Sequence, residues 1–77
     1  MSSLVWILTF TDCNEEKNIL DVFTSREKAI NAMEKIAEDC DEYLDEDWKT
    51  SRVINAYYDK QLTKPVGFYC INIYELR

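Results

Sequence analysis

The sequence predicts an α+β domain: a four-stranded sheet in spatial order 2-1-4-3, built β-β-α-β-β, with one helix packed on one face. Three observations carry this. Residues 4–10 and 68–76 are apolar on both faces, as strands in the middle of a sheet are. Between them, apolar residues recur every three or four positions from Ala29 to Leu44, as on a helix that lies against a sheet. The chain has 77 residues, so residues 1–77 form one domain with a modest core.

The elements follow in order. Leu4, Val5, Trp6, Ile7, Leu8, Thr9 and Phe10 form a first strand buried on both sides. A polar turn at residues 12–16 leads to a second strand at 19–23. Asp21 in its middle suits a sheet edge, where a charge discourages pairing with another chain. Thr24 and Glu27 match a capping box, in which each side chain satisfies an unpaired backbone N–H. Ile30, Met33, Ala37, Cys40 and Leu44, widened by Ala29 and Ile36, predict a helix of four to five turns. A third strand spans residues 50–58 and carries Val53, Ile54, Ala56, Tyr57 and Tyr58. The loop at 59–67 holds Pro65 and Gly67, the only proline and the only glycine. In the last strand, Phe68, Cys70 and Tyr74 share one face, and Tyr69, Ile71 and Ile73 the other.

Traced through the helix, this order makes the two central strands parallel, each hairpin antiparallel and the helical connection right-handed. One helix covers one sheet face. The other keeps part of the set Val5, Ile7, Tyr69, Ile71 and Ile73, or of the set Leu4, Trp6, Leu8, Phe68 and Tyr74. A patch of that size calls for a partner, and a homodimer is one way to supply it.

Composition narrows the function. Fifteen acids against nine bases and no histidine give a net charge of −6, which excludes binding nucleic acid through a basic face. Apolar residues at 47% exclude a disordered chain. Without histidine the usual neutral-pH acid–base group is missing, and a single glycine excludes a glycine-rich phosphate loop. An enzyme is not expected, nor is a cofactor. Cys13, Cys40 and Cys70 are odd in number and lack C-x-x-C spacing, which suggests free thiols in a reducing cytosol. The apolar run at 4–10 is too short to span a bilayer and lacks the flanks of a signal peptide, so no membrane association is expected.

The charge is concentrated. Residues 38–47 hold seven acids, Glu38, Asp39, Asp41, Glu42, Asp45, Glu46 and Asp47, and no base. That leaves eight acids against nine bases elsewhere, a scaffold of charge +1. Acids at a helix C-terminus oppose the macrodipole, and Glu38–Glu42, Asp41–Asp45 and Glu42–Glu46 would repel if helical; together this costs on the order of 1–3 kcal/mol. Either the helix stops near Asp41, or the cost serves a purpose. A calcium loop beginning at Asp39 fails, because Tyr43, Leu44 and Thr50 stand where an acid, a glycine and a glutamate are needed. A helical block would carry one charge per roughly 2 Å, near the density of duplex phosphate. Such a block suits mimicry of nucleic acid, simple docking to a basic partner, or plain solvation. Tyr43 and Trp48 flank the acids, and both residue types are common interface anchors.

The junction Val22-Phe23-Thr24-Ser25-Arg26-Glu27-Lys28-Ala29 resembles one in small phage and bacterial proteins of uncharacterised function. Val5-Trp6-Ile7-Leu8 and Ile71-Asn72-Ile73-Tyr74-Glu75-Leu76 fit the same layout. The resemblance implies the β-β-α-β-β order and no catalytic residues. It marks the acidic segment as the departure from the shared scaffold.

The sequence therefore points to a non-enzymatic, phage-encoded inhibitor in the host cytosol. It would block a basic, nucleic-acid-binding defence protein, in the manner of an anti-CRISPR protein. The expected partner-binding residues are Glu38, Asp39, Asp41, Glu42, Tyr43, Asp45, Glu46, Asp47 and Trp48, with no metal site and no direct contact with nucleic acid. The alternative is a homodimeric structural or regulatory module that uses its apolar sheet face.

Overall fold

A computed structural model of the chain describes residues 3–45 and 50–76. The elements are β1 (Ser3–Asp12), β2 (Lys17–Phe23), α1 (Arg26–Asp39), β3 (Tyr43–Leu44), β4 (Val53–Tyr57) and β5 (Pro65–Leu76). They make one helix and a five-stranded sheet in the order β2-β1-β5-β4-β3. The order expected for the four long strands stands, and a fifth, two-residue strand joins at the edge.

Strand direction is corrected. β1 and β5 run antiparallel across ten consecutive pairs from Ser3↔Leu76 to Asp12↔Gly67, so the central pair is not parallel and the whole sheet is antiparallel. The physical reason is one extra chain reversal. β3 leaves the end of α1 and pairs antiparallel with β4, Tyr43 opposite Tyr57 and Leu44 opposite Ala56. That added reversal flips the direction of β4 and therefore of β5. The handedness rule applies to parallel crossovers and has no object in this sheet.

Register also rearranges the expected face sets. Directly opposed residues share a face. Trp6↔Ile73, Leu8↔Ile71 and Phe10↔Tyr69 place the even residues of β1 with the odd residues of β5. Val5↔Tyr74, Ile7↔Asn72 and Thr9↔Cys70 form the opposite face. Each predicted set had joined half of one face to half of the other.

The helix covers the first of these faces. Leu8, Ile54, Ala56, Tyr69 and Ile71 from the sheet pack with Ala29 and Met33 from α1, and Trp6, Phe10, Phe23, Ile30, Ile36 and Leu44 close around them. Met33 is fully buried, as its place in the apolar stripe implies. Gly67 lies where β5 passes Phe10. A Cβ there would stand 2.5 Å from the Thr11 carbonyl oxygen and run into the Phe10 ring. The ring instead lies over the glycine and against Tyr69, with centroids 4.8 Å apart.

Both helix ends differ from expectation by a few residues. The N-cap is Ser25, not Thr24: its hydroxyl accepts the Lys28 N–H at 3.2 Å. Thr24 Oγ1 accepts the Lys28 ammonium instead, so the reciprocal capping box is not formed. The helix ends at Asp39, short of Leu44, which the chain delivers to the same core through β3. Asp41 takes the left-handed conformation, φ 56°. Its N–H donates to the Glu38 carbonyl at 3.1 Å, and the Glu42 N–H donates to the Ala37 carbonyl at 2.8 Å. This is a Schellman stop with aspartate where glycine is usual. Asp41→Gly should stabilise the fold by about 1 kcal/mol, because it relieves the left-handed strain and removes an acid from the helix C-terminus. A urea titration would show a higher midpoint with an unchanged slope.

β2 is an edge, as Asp21 suggested. The Asp21 carboxylate accepts the N–H of Val22 at 2.8 Å. An edge strand with a main-chain donor engaged by its own neighbour's carboxylate is a poor template for a further strand.

Candidate functional site

Two surfaces stand out: the acidic corner, and the sheet face opposite the helix.

The acidic block is not one helix. Glu38 and Asp39 end α1, Asp41 and Glu42 form the stop, Tyr43 lies in β3, and Asp45 follows it. Glu46, Asp47 and Trp48 lie outside the described residues. A charge spacing that matches duplex phosphate required a continuous helix, and that premise is overturned. The Glu38–Glu42 and Asp41–Asp45 pairs that would have strained such a helix are also avoided, because the helix ends at Asp39 and the chain turns at Asp41.

Two of the acids hold the fold. Glu42 Oε1 accepts the Tyr69 hydroxyl, which ties the helix stop to the central strand β5. Burial first, and then Glu42, push the Tyr69 phenol well above its usual range. Asp45 Oδ2 accepts both the backbone N–H of Asn55 at 3.1 Å and its Nδ2 at 3.0 Å. With the Asp45 N–H donating to the Asn55 carbonyl at 3.3 Å, this clamps the end of β3 to β4. Both carboxylates were expected among the partner-binding residues, and Asn55 was not singled out. Glu38, Asp39 and Asp41 remain exposed. Glu34, Glu38, Glu42 and Tyr43 border an open groove of about 310 Å³ between α1 and β3, with Ala37 and Leu44 at its base.

The open sheet face is apolar. On β1 it carries Val5, Ile7, Thr9 and Thr11, and on β5 Phe68, Cys70, Asn72 and Tyr74. β2 adds Val22 opposite Ile7 and Ile19 opposite Thr9, and β4 adds Val53 opposite Cys70. Ile19 is 69% exposed, Val22 49%, Val53 52% and Tyr74 49%, so large apolar side chains meet solvent together. The middle of the face is already dry: Thr9 is 2% exposed, and its hydroxyl has no hydrogen-bond partner among the described residues.

Charge is confined to the margins of this face. One row of cross-strand neighbours runs Lys17–Thr11–Phe68–Asn55, and the Asp45–Asn55 clamp continues it to Asp45. Lys17 on β2 and Asp45 beside β4 thus sit at opposite ends of the same row. The two-sided apolarity of residues 4–10 and 68–76 was the signal for this face. The charged ends of the row were not legible, because they depend on register.

Cys13, Cys40 and Cys70 are free. Among the described residues, no cluster of three or more metal-ligating side chains occurs, and no helix is long and apolar enough to cross a membrane. The fold and surfaces define a small α+β domain with one helix-covered and one open sheet face. No family model, curated protein or solved structure matches the chain.

Proposed function

We propose that the protein is a non-enzymatic binding module that works through protein–protein contact, with the open sheet face as its principal docking surface. One observation carries this: on one face of the sheet Ile19, Val22, Val53 and Tyr74 meet solvent together, with no second layer among the described residues. Monomeric domains rarely leave such a face bare. The grooves among the described residues are open and offer little desolvated space for tuning a carboxylate, which favours binding over catalysis. Three free thiols favour a reducing compartment.

A second reading keeps the acidic corner as an additional contact. Glu38, Asp39 and Asp41 are exposed, and the last turn of α1 contains no basic residue to neutralise them. This corner suits a basic partner, and a nucleic-acid-binding host defence protein is the kind of target a phage-encoded inhibitor would block. Recognition would then rest on a few exposed carboxylates rather than on a phosphate-like spacing.

Affinity capture from a host lysate separates these readings. Val22→Lys/Val53→Lys should abolish capture if the sheet face is the docking surface. Glu38→Lys/Asp39→Lys/Asp41→Lys should abolish it if the acidic corner is, with retention falling steeply as salt rises. Equal capture by wild type and both variants would refute both.

A further inference from the structure

We infer that the occupant of the open sheet face is a second copy of this chain, docked face to face about a two-fold axis that runs along β5. The inference rests on the reading of this face as a docking surface and specifies its partner. Three features of the face carry it.

The first is area. The strands hold 36 residues, which at about 3.3 Å rise and 4.8 Å spacing frame roughly 550 Å². That is close to the ~600 Å² per partner at the small end of specific interfaces. Two such faces stack as a β-sandwich, a common way for an antiparallel sheet to bury its second side.

The second is charge complementarity. β5 is the middle strand of five. A two-fold axis along it lays β5 on the partner's β5, β1 on the partner's β4, and β2 on the partner's β3. Lys17 and Asp45 terminate one row at opposite margins, so this rotation brings each Lys17 over the partner's Asp45, twice per dimer. Between them the row is uncharged: Thr11, Phe68 and Asn55. A chain of net charge −6 can approach its own copy here because its acidic corner lies to one side of the contact. A two-fold axis perpendicular to the strands would instead set Lys17 on the β2 side against the partner's β2, with no carboxylate of this row opposite.

The third is that the β2 edge is guarded against the other way for sheets to pair. Edge-to-edge association through β2 would have to displace the Asp21 carboxylate from the Val22 N–H. Of the face and this edge, the face is the unguarded surface.

The purified full chain tests this. Sedimentation equilibrium should show a dimer at sub-millimolar concentration. Lys17→Glu alters an exposed side chain outside the core, so it should leave the far-ultraviolet spectrum and melting unchanged at low concentration. It should weaken association by about tenfold, because two symmetry-related ion pairs become repulsive contacts. Asp45→Asn keeps an acceptor for Asn55, and combined with Lys17→Glu it should restore part of the loss. In the dimer Cys70 lies between the two sheets while Cys40 stays exposed, so alkylation of Cys70 followed by mass spectrometry should slow at dimer-forming concentration and that of Cys40 should not. A chain that stays monomeric overturns the inference, as does a dimer indifferent to Lys17→Glu and without protection of Cys70. If the chain is monomeric but Val22→Lys/Val53→Lys still abolishes capture of a different protein, this inference fails and the proposed docking surface stands. If those substitutions change neither association nor capture, both fail.

Discussion

Replacing Gly67 by alanine should destabilise the protein by about 3 kcal/mol, a large part of what holds a domain of this size together. The cause is space, not backbone freedom, since no glycine here has a positive φ. The new Cβ would stand 2.5 Å from the Thr11 carbonyl oxygen and collide with the Phe10 ring. The ring can turn away, although it would lose its contact with Tyr69. The carbonyl belongs to the backbone of β1, and the Asp12↔Gly67 pair closes the longest ladder in the sheet. Relief must come from strand separation, so Phe10→Leu introduced with Gly67→Ala should recover only part of the loss. Urea denaturation of the single and double variants checks this. Full recovery in the double variant would show that the ring was the obstacle.

Tyr69→Phe should cost about 1.5–3 kcal/mol at neutral pH, the range for a hydrogen bond to a charged acceptor. The hydroxyl donates to Glu42, and Tyr69 is among the largest fully buried side chains. The pH dependence carries a sign. Burial and Glu42 raise the folded-state pKa of the phenol above its unfolded value near 10. The contribution is therefore fully present below about pH 10 and is lost as pH rises beyond it. Wild type should lose stability steeply in that alkaline range, and Tyr69→Phe should lose less, so the two urea midpoints converge. Glu42→Gln keeps an acceptor for the hydroxyl and should fall between them at pH 7. A gap between wild type and Tyr69→Phe that stays constant to pH 11 would refute this account.

Much of the fold was legible because it depends on local pattern. The two-sided apolarity of residues 4–10 and 68–76 placed β1 and β5 at the centre, and Asp21 placed β2 at an edge. The three-and-four spacing from Ala29 to Ala37 placed α1 and its buried Met33. The end of the helix was harder. Cys40 and Leu44 continue the helical spacing, yet Leu44 reaches the core from β3 after the Asp41 stop. An aspartate in left-handed conformation gives no signal comparable to a glycine. The acidic block was visible as composition, but its division into structural and exposed members was not. Glu42 and Asp45 look like their neighbours until Tyr69, 27 residues on, and Asn55, ten residues on, are brought beside them.

By itself, then, the sequence determined the four long strands and the body of the helix, which strands are central, and that one sheet face lacks a cover. These follow from hydrophobic periodicity, which is a property of neighbours along the chain. Only the tertiary structure decided the direction of the central pair, the side chains that share the open face, and the placing of Lys17 and Asp45 at opposite ends of one row. The reason is register and parity. A two-residue strand of Tyr43 and Leu44 adds one chain reversal and turns β5 over relative to β1, and no periodicity within a single segment records that.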